Sequence, residues 1–216
     1  MKNNFVELIF ILDRSGSMRG LEADTVGGFN SMIEKQKQLE GNVKVSTVIF
    51  NQRSTVLHDR QDIKEIGELK VEDFNVSGTT ALLDAVGRSI RHIKRIYADT
   101  LCEHRPKKVI FMITTDGMEN ASREFSYKNV KRSIDRVTEE YNWEILFMAA
   151  NIDSVSEASK MGIKEDRAVR YRADSRGTRT NFNAMNSTMS ELRLNRELNK
   201  NWKKDIEDDY KKNSNN

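Results

Sequence analysis

Short apolar runs, each ending in a polar turn, constrain this chain more than any other feature. Phe5-Val6-Glu7-Leu8-Ile9-Phe10-Ile11-Leu12 is almost continuously apolar, is shorter than a buried helix, and hands directly to Asp13. A run of this kind reads as a strand buried on both faces, the situation of a parallel sheet covered by helices on either side. The pattern recurs at residues 109–113, which lead to Thr114-Thr115-Asp116-Gly117, and at 143–150, which lead to Asn151-Ile152-Asp153. Residues 43–50 form a β-branched run typical of a second strand, and 168–171 a short last one. After the turn at Asn51-Gln52, residues 54–58 return as a third strand, antiparallel and at an edge.

Between these runs the apolar spacing turns helical. Residues 21–39 place Val26, Phe29 and Ile33 on one face, although Gly27-Gly28 costs about 1 kcal/mol per glycine relative to alanine and points to close packing on the sheet. Ser77-Gly78-Thr79-Thr80 opens a helix faced by Leu83, Val86, Ile90 and Ile93, with Arg88, Arg91, Lys94 and Arg95 on its other side, a basic cluster that reads as a solvated helix face sooner than as a phosphate-binding patch. Ser126 caps a helix striped by Val130, Ile134 and Val137, and residues 155–161 make a short helix closed by Gly162. Residues 59–76 show no sustained period and read as a connector with one short helix. Residues 180–210 read as one long helix with Met185, Met189 and Leu192 on one face and a charged later half that projects; 211–216 read as a disordered tail. Strands alternating with helices predict an α/β, doubly wound, Rossmann-like sheet, mostly parallel and six-stranded, with one antiparallel edge strand and helices on both faces. The expected division is one domain over 1–198 and a charged helical extension with a tail over 199–216.

Composition narrows the function. The 36 basic and 33 acidic residues leave a net charge of +3, too small to favour nucleic acid or an anionic membrane surface. The single cysteine, Cys102, forbids an internal disulfide framework and suits a reducing compartment. The N-terminal apolar run is short, contains Glu7 and ends in Asp13, which argues against an export signal, and no later stretch reaches the roughly 18 apolar residues of a membrane span. A cytoplasmic location is the expectation.

The chemistry concentrates where strands end. In an open α/β sheet, neighbouring strands deliver their carboxyl ends to one crevice, so Asp13 and Asp116 can converge there, with a hydroxyl added from the start of the Thr79-Thr80 helix. Two carboxylates, the hydroxyls of Ser15, Ser17 and a threonine, and no soft ligand suit a hard divalent cation, Mg²⁺ or Mn²⁺. The plain alternative is that these serines and aspartates only cap the turns that follow the strands. Asp84 is equally well explained by a favourable interaction with its helix N-terminus. His58, His92 and His104 lie in no ligand spacing and read as surface residues, and the arginines at 167, 170, 172, 176 and 179 read as a solvated loop. Cys102, beside Glu103 and His104, reads as an ordinary free thiol.

Three segments together, Asp13-x-Ser15-x-Ser17, Gly78-Thr79-Thr80-Ala81-Leu82-Leu83-Asp84-Ala85 and Thr115-Asp116-Gly117-x-x-Asn120, resemble the metal-ion-dependent adhesion site of von Willebrand factor type A domains, here of a stand-alone bacterial or phage type. The resemblance covers roughly residues 5–195. It implies a domain that binds a partner protein through a metal completed by a Glu or Asp of that partner, without enzymatic activity. Carried across, it implies Asp13, Ser15, Ser17, Thr80 and Asp116 at the metal, with Gly117 keeping space beside it and Asn120 and Thr79 in support. Counting four residues back from Asp84 favours Thr80 as the threonine ligand, with Thr79 as the alternative. Two other functions compete. A Mg²⁺-dependent phosphohydrolase would also place aspartates at strand ends, but Ser15 stands where a second aspartate would be wanted. A scaffold with a vestigial site is the third.

Overall fold

The computed structural model describes residues 5–150, 153–194 and 196–213; positions 1–4, 151–152, 195 and 214–216 lie outside them, among them part of the expected tail. Six strands form one sheet in the order β3-β2-β1-β4-β5-β6. They are β1 (Phe5–Asp13), β2 (Asn42–Phe50), β3 (Ser54–Asp62), β4 (Lys108–Thr115), β5 (Glu144–Ala150) and β6 (Ala168–Tyr171). Every pairing is parallel except β2 with β3. Chain order reverses at β1, whose neighbours are β2 and β4, and this switch point sets Asp13 beside the end of β4.

Every residue of β1 is buried, as its unbroken apolar run requires. Alternate β1 side chains feed two cores. Leu8, Phe10 and Leu12 join α1 (Glu22–Lys37) and α5 (Ser175–Arg193) on one face; Ile9 and Ile11 join α2 (Leu82–Asp99), α3 (Tyr127–Tyr141) and α4 (Ser154–Lys160) on the other. Among the described residues no helix is long and apolar enough to cross a membrane.

Several expectations change. The single helix over 180–210 is two: α5 ends at Arg193, and α6 (Lys204–Asn213) folds back so that Trp202, just before it, and Ile206 within it join the core beside α5. Helix also runs through residues 211–213, where a disordered tail was expected. The edge strand continues four residues past His58 to Asp62, and the connector after it holds two 3-10 turns, Ile63–Glu65 and Val71–Phe74, in place of one short helix. Gly28 admits a helix and not the sheet, since a Cβ there would collide with the ring of Phe182 on α5. His58 is half-buried and stacked on Phe29, its ring held below the ordinary histidine pKa by desolvation. The arginines near β6 are engaged: Arg167 with Glu144 and Asp166, Arg172 with Asp174, Arg176 with Asp209, and Arg170 over the ring of Tyr210.

Candidate metal centre

The strand that carries Asp13 ends in a loop tied to its neighbours by backbone. Arg14 N–H donates to Phe50 O (2.7 Å), Ser77 N–H to Arg14 O (3.0 Å), and Gly16 N–H to Gly78 O (2.9 Å). Gly78 sits at φ +76°, a left-handed conformation that favours glycine, and so lets the two loops meet. Asp13 is fully buried. Its Oδ1 accepts Ser15 N–H at 2.6 Å and its Oδ2 accepts the Thr115 hydroxyl at 2.6 Å, so both oxygens are held by the protein's own donors.

Asp116 follows the end of β4 and is differently placed. Its Oδ1 accepts the Ser17 hydroxyl at 2.5 Å, while its Oδ2 is buried without any partner. Burial, reinforced by the nearby Asp13 charge, pushes its carboxyl up to about 6, and burial raises Asp13 as well. An unpartnered carboxylate oxygen in this setting is costly unless a cation or water meets it.

The hydroxyls converge on Gly117. A Cβ built there would lie 3.0 Å from Thr80 Oγ1, 3.2 Å from Ser17 Oγ and 3.8 Å from Ser15 Oγ. The two serine hydroxyls are 3.1 Å apart. Thr80 is buried and points into this group, whereas Thr79 is exposed and only its amide is used, donating to Gln52 Oε1 at 3.3 Å. Asn120 fixes the Thr80 backbone from both sides: its Oδ1 accepts Thr80 N–H (2.9 Å) and its own N–H donates to Thr80 O (3.0 Å). Asp13, Ser15, Ser17, Thr80 and Asp116 thus come together around Gly117, with Ser17 exposed at the mouth. Two hard carboxylates, three hydroxyls, an orphaned oxygen and space that only glycine leaves open fit a small divalent cation. Among the described residues no three His, Cys, Asp or Glu side chains gather as a metal cluster, so hydroxyls have to contribute to any such site.

Two supporting roles were not visible in the sequence, although Thr115 itself stands in the third motif. Thr115 locks Asp13 and also bridges to Gly117, whose N–H it accepts at 3.3 Å. Glu119 braces the following loop by accepting Ala121 N–H, Ser122 N–H and Leu83 N–H. Asp84 is no neighbour of the hydroxyl group. Its carboxylate accepts the amides of Arg123, Glu124 and Phe125, which hold its pKa down against the effect of burial, and so it pins the loop after β4 to α2.

No protein-family model matches the sequence, and no curated protein matches it by sequence. Solved structures do match the fold. The von Willebrand factor type A protein from Catenulispora acidiphila aligns at TM-score 0.56 and 18% identity over 86% of this chain and 42% of its own. Manganese-loaded TRAP from Plasmodium vivax aligns at TM-score 0.57 and 17% identity over 83% of this chain and 72% of its own. Proximal thread matrix protein 1 of the mussel byssus, with a zinc-occupied MIDAS motif, aligns at TM-score 0.54 and 13% identity over 88% of this chain and 45% of its own. The chain thus spans less than half the length of the Catenulispora and mussel proteins. These likenesses are of architecture: the chain has the six-stranded, mostly parallel, doubly wound fold of von Willebrand factor type A domains.

Proposed function

We propose that this protein is a metal-dependent, non-enzymatic protein-binding module. Ser15, Ser17 and Thr80 would hold Mg²⁺ or Mn²⁺ through their hydroxyls, and Asp116 would supply charge through its free oxygen. Asp13 would act from behind, orienting Ser15 and, through Thr115, Gly117. When bound, the cation supplies a Lewis-acidic position that seeks an anionic oxygen. A partner's Glu or Asp side chain is the ligand chemistry that fits, since hydroxyl donors leave the cation's charge less neutralised than carboxylates would. The observation that carries this reading is the orphaned Asp116 Oδ2 beside three hydroxyls converging on Gly117. The metal loading of the TRAP and mussel proteins supports it by analogy of fold. No nucleic acid or membrane enters this reading, and a cytoplasmic setting remains our expectation for it.

The test is metal-dependent capture of a partner from the native host, compared in Mg²⁺ and in EDTA with Asp13→Ala and Asp116→Ala as controls. Capture that needs Mg²⁺ and both carboxylates is expected; capture equal in EDTA would end the proposal. Turnover of simple phosphate esters in Mg²⁺, abolished by Asp116→Ala, would replace it with the phosphohydrolase.

A further inference from the structure

Helix α2 packs over β1 and β2 and meets β3 through His92, which lies 2.8 Å from Asp59. Between α2 and β3 runs a groove of about 480 Å³, floored by Ile9 and Val48 of the sheet, lined by Ala85 of the helix and bordered on the strand side by Val56, which is 57% exposed. Its helical wall carries Arg88, Arg91 and Arg95 at helical spacing, a basic row about 10 Å long at 1.5 Å per residue. Ser54 Oγ, on the strand side, is buried without a partner.

We infer that this groove docks an extended acidic segment of a partner protein. Charge argues for the acidity. Arg88 and Arg91 share Glu124 at 2.6 and 2.7 Å, an exposed arrangement that exchanges readily for other carboxylates; Arg88 also lies 3.9 Å from the buried Asp84, and Arg95 has no carboxylate partner among the described residues. The lining is not uniformly basic, since Asp59 sits against His92 at 2.8 Å, so acidic groups are expected toward the arginine row and neutral ones toward β3. Length suits an extended chain, since about four extended residues span the arginine row. Addition to the free edge of β3 is disfavoured, because two register shifts and Arg60 at φ +52° break its ladder. A two-fold contact between the grooves of two copies of this chain would set arginines against arginines. The inference is independent of the metal reading.

A fluorescent decapeptide alternating glutamate with valine or threonine is the probe. Binding is expected to persist in EDTA, to weaken at least tenfold in Arg91→Glu/Arg95→Glu and in Val56→Asp, and to fall with added salt. The lysine-for-glutamate peptide should not bind. Arg95→Gln and Val56→Thr repeat the comparison with milder changes should a charge-introducing variant unfold. No binding at millimolar peptide, equal binding of the lysine peptide, or binding unchanged by the variants would overturn the inference. So would binding that requires Mg²⁺ and vanishes in Asp116→Ala, which belongs to the metal centre.

Discussion

Asp13 and Asp116 stand at the ends of adjacent parallel strands, both buried, yet they live under opposite conditions. Asp13 has each oxygen satisfied within the fold, whereas Asp116 has one oxygen satisfied and one with nothing to meet it. The difference separates a carboxylate that builds the loops from one that waits for a charge. Buried polar groups cost little when paired and much when not, so the first should matter to the fold and the second to the ligand.

The largest effect should come from Asp13→Ala, which strands Ser15 N–H in the interior and leaves the Thr115 hydroxyl only its longer bond to Gly117 O at 3.2 Å. A loss of about 2–4 kcal/mol in EDTA is expected by urea unfolding, and a loss below 0.5 kcal/mol would erase the contrast. Next, Mg²⁺ at 100 times its dissociation constant should stabilise the wild type by about 2.7 kcal/mol, read as a rise in Tm, with no response in Asp116→Ala. Third, Asp116→Asn should unfold in EDTA at neutral pH within about 1 kcal/mol of the wild type, or above it, because it removes a buried charge; marked destabilisation would make Asp116 a structural residue like Asp13.

The fourth effect is in pH. The folded Asp116 carboxyl holds its proton up to about 6, above its ordinary 3.8. The folded state therefore binds more protons than the unfolded one across that window, and metal-free stability should fall as pH rises from about 4 to about 6, then level. Saturating Mg²⁺ should flatten that fall, and a metal-free curve rising through the same window would contradict the placement of Asp116. The smallest change in fold should follow Gly117→Ala, whose new methyl sits 3.0 Å from Thr80 Oγ1. Its melting in EDTA should move by a degree or two while the Mg²⁺ response shrinks.

The sheet was legible because β1, β4 and β5 are buried on both faces and must be apolar throughout. The hydroxyls and carboxylates that meet at Gly117 were legible because each follows such a strand or opens a helix at fixed spacing. The role of Thr115 was not, although it opens the third motif, since a threonine closing an apolar strand looks like any β-former and its bond to Asp13 joins residues 102 apart. Glu119 is a lone loop carboxylate, with no pattern to mark it. The break between α5 and α6 carries neither glycine nor proline, so its charged residues pass for more helix. The reading of Arg88 and Arg91 as merely solvated missed Glu124, a partner 36 and 33 residues away in sequence.

Helix α6 bears on how the chain can be handled. With Trp202 only 8% and Ile206 only 1% exposed, and the Trp202 indole N–H donating to Asp166 O at 2.8 Å, this segment seals the flank of β6. A chain shortened at residue 198, where the charge pattern invites a cut, would not shed an idle arm. It would open a greasy seam along the last strand, and a preparation trimmed there should clump in solution where the longer one stays dispersed.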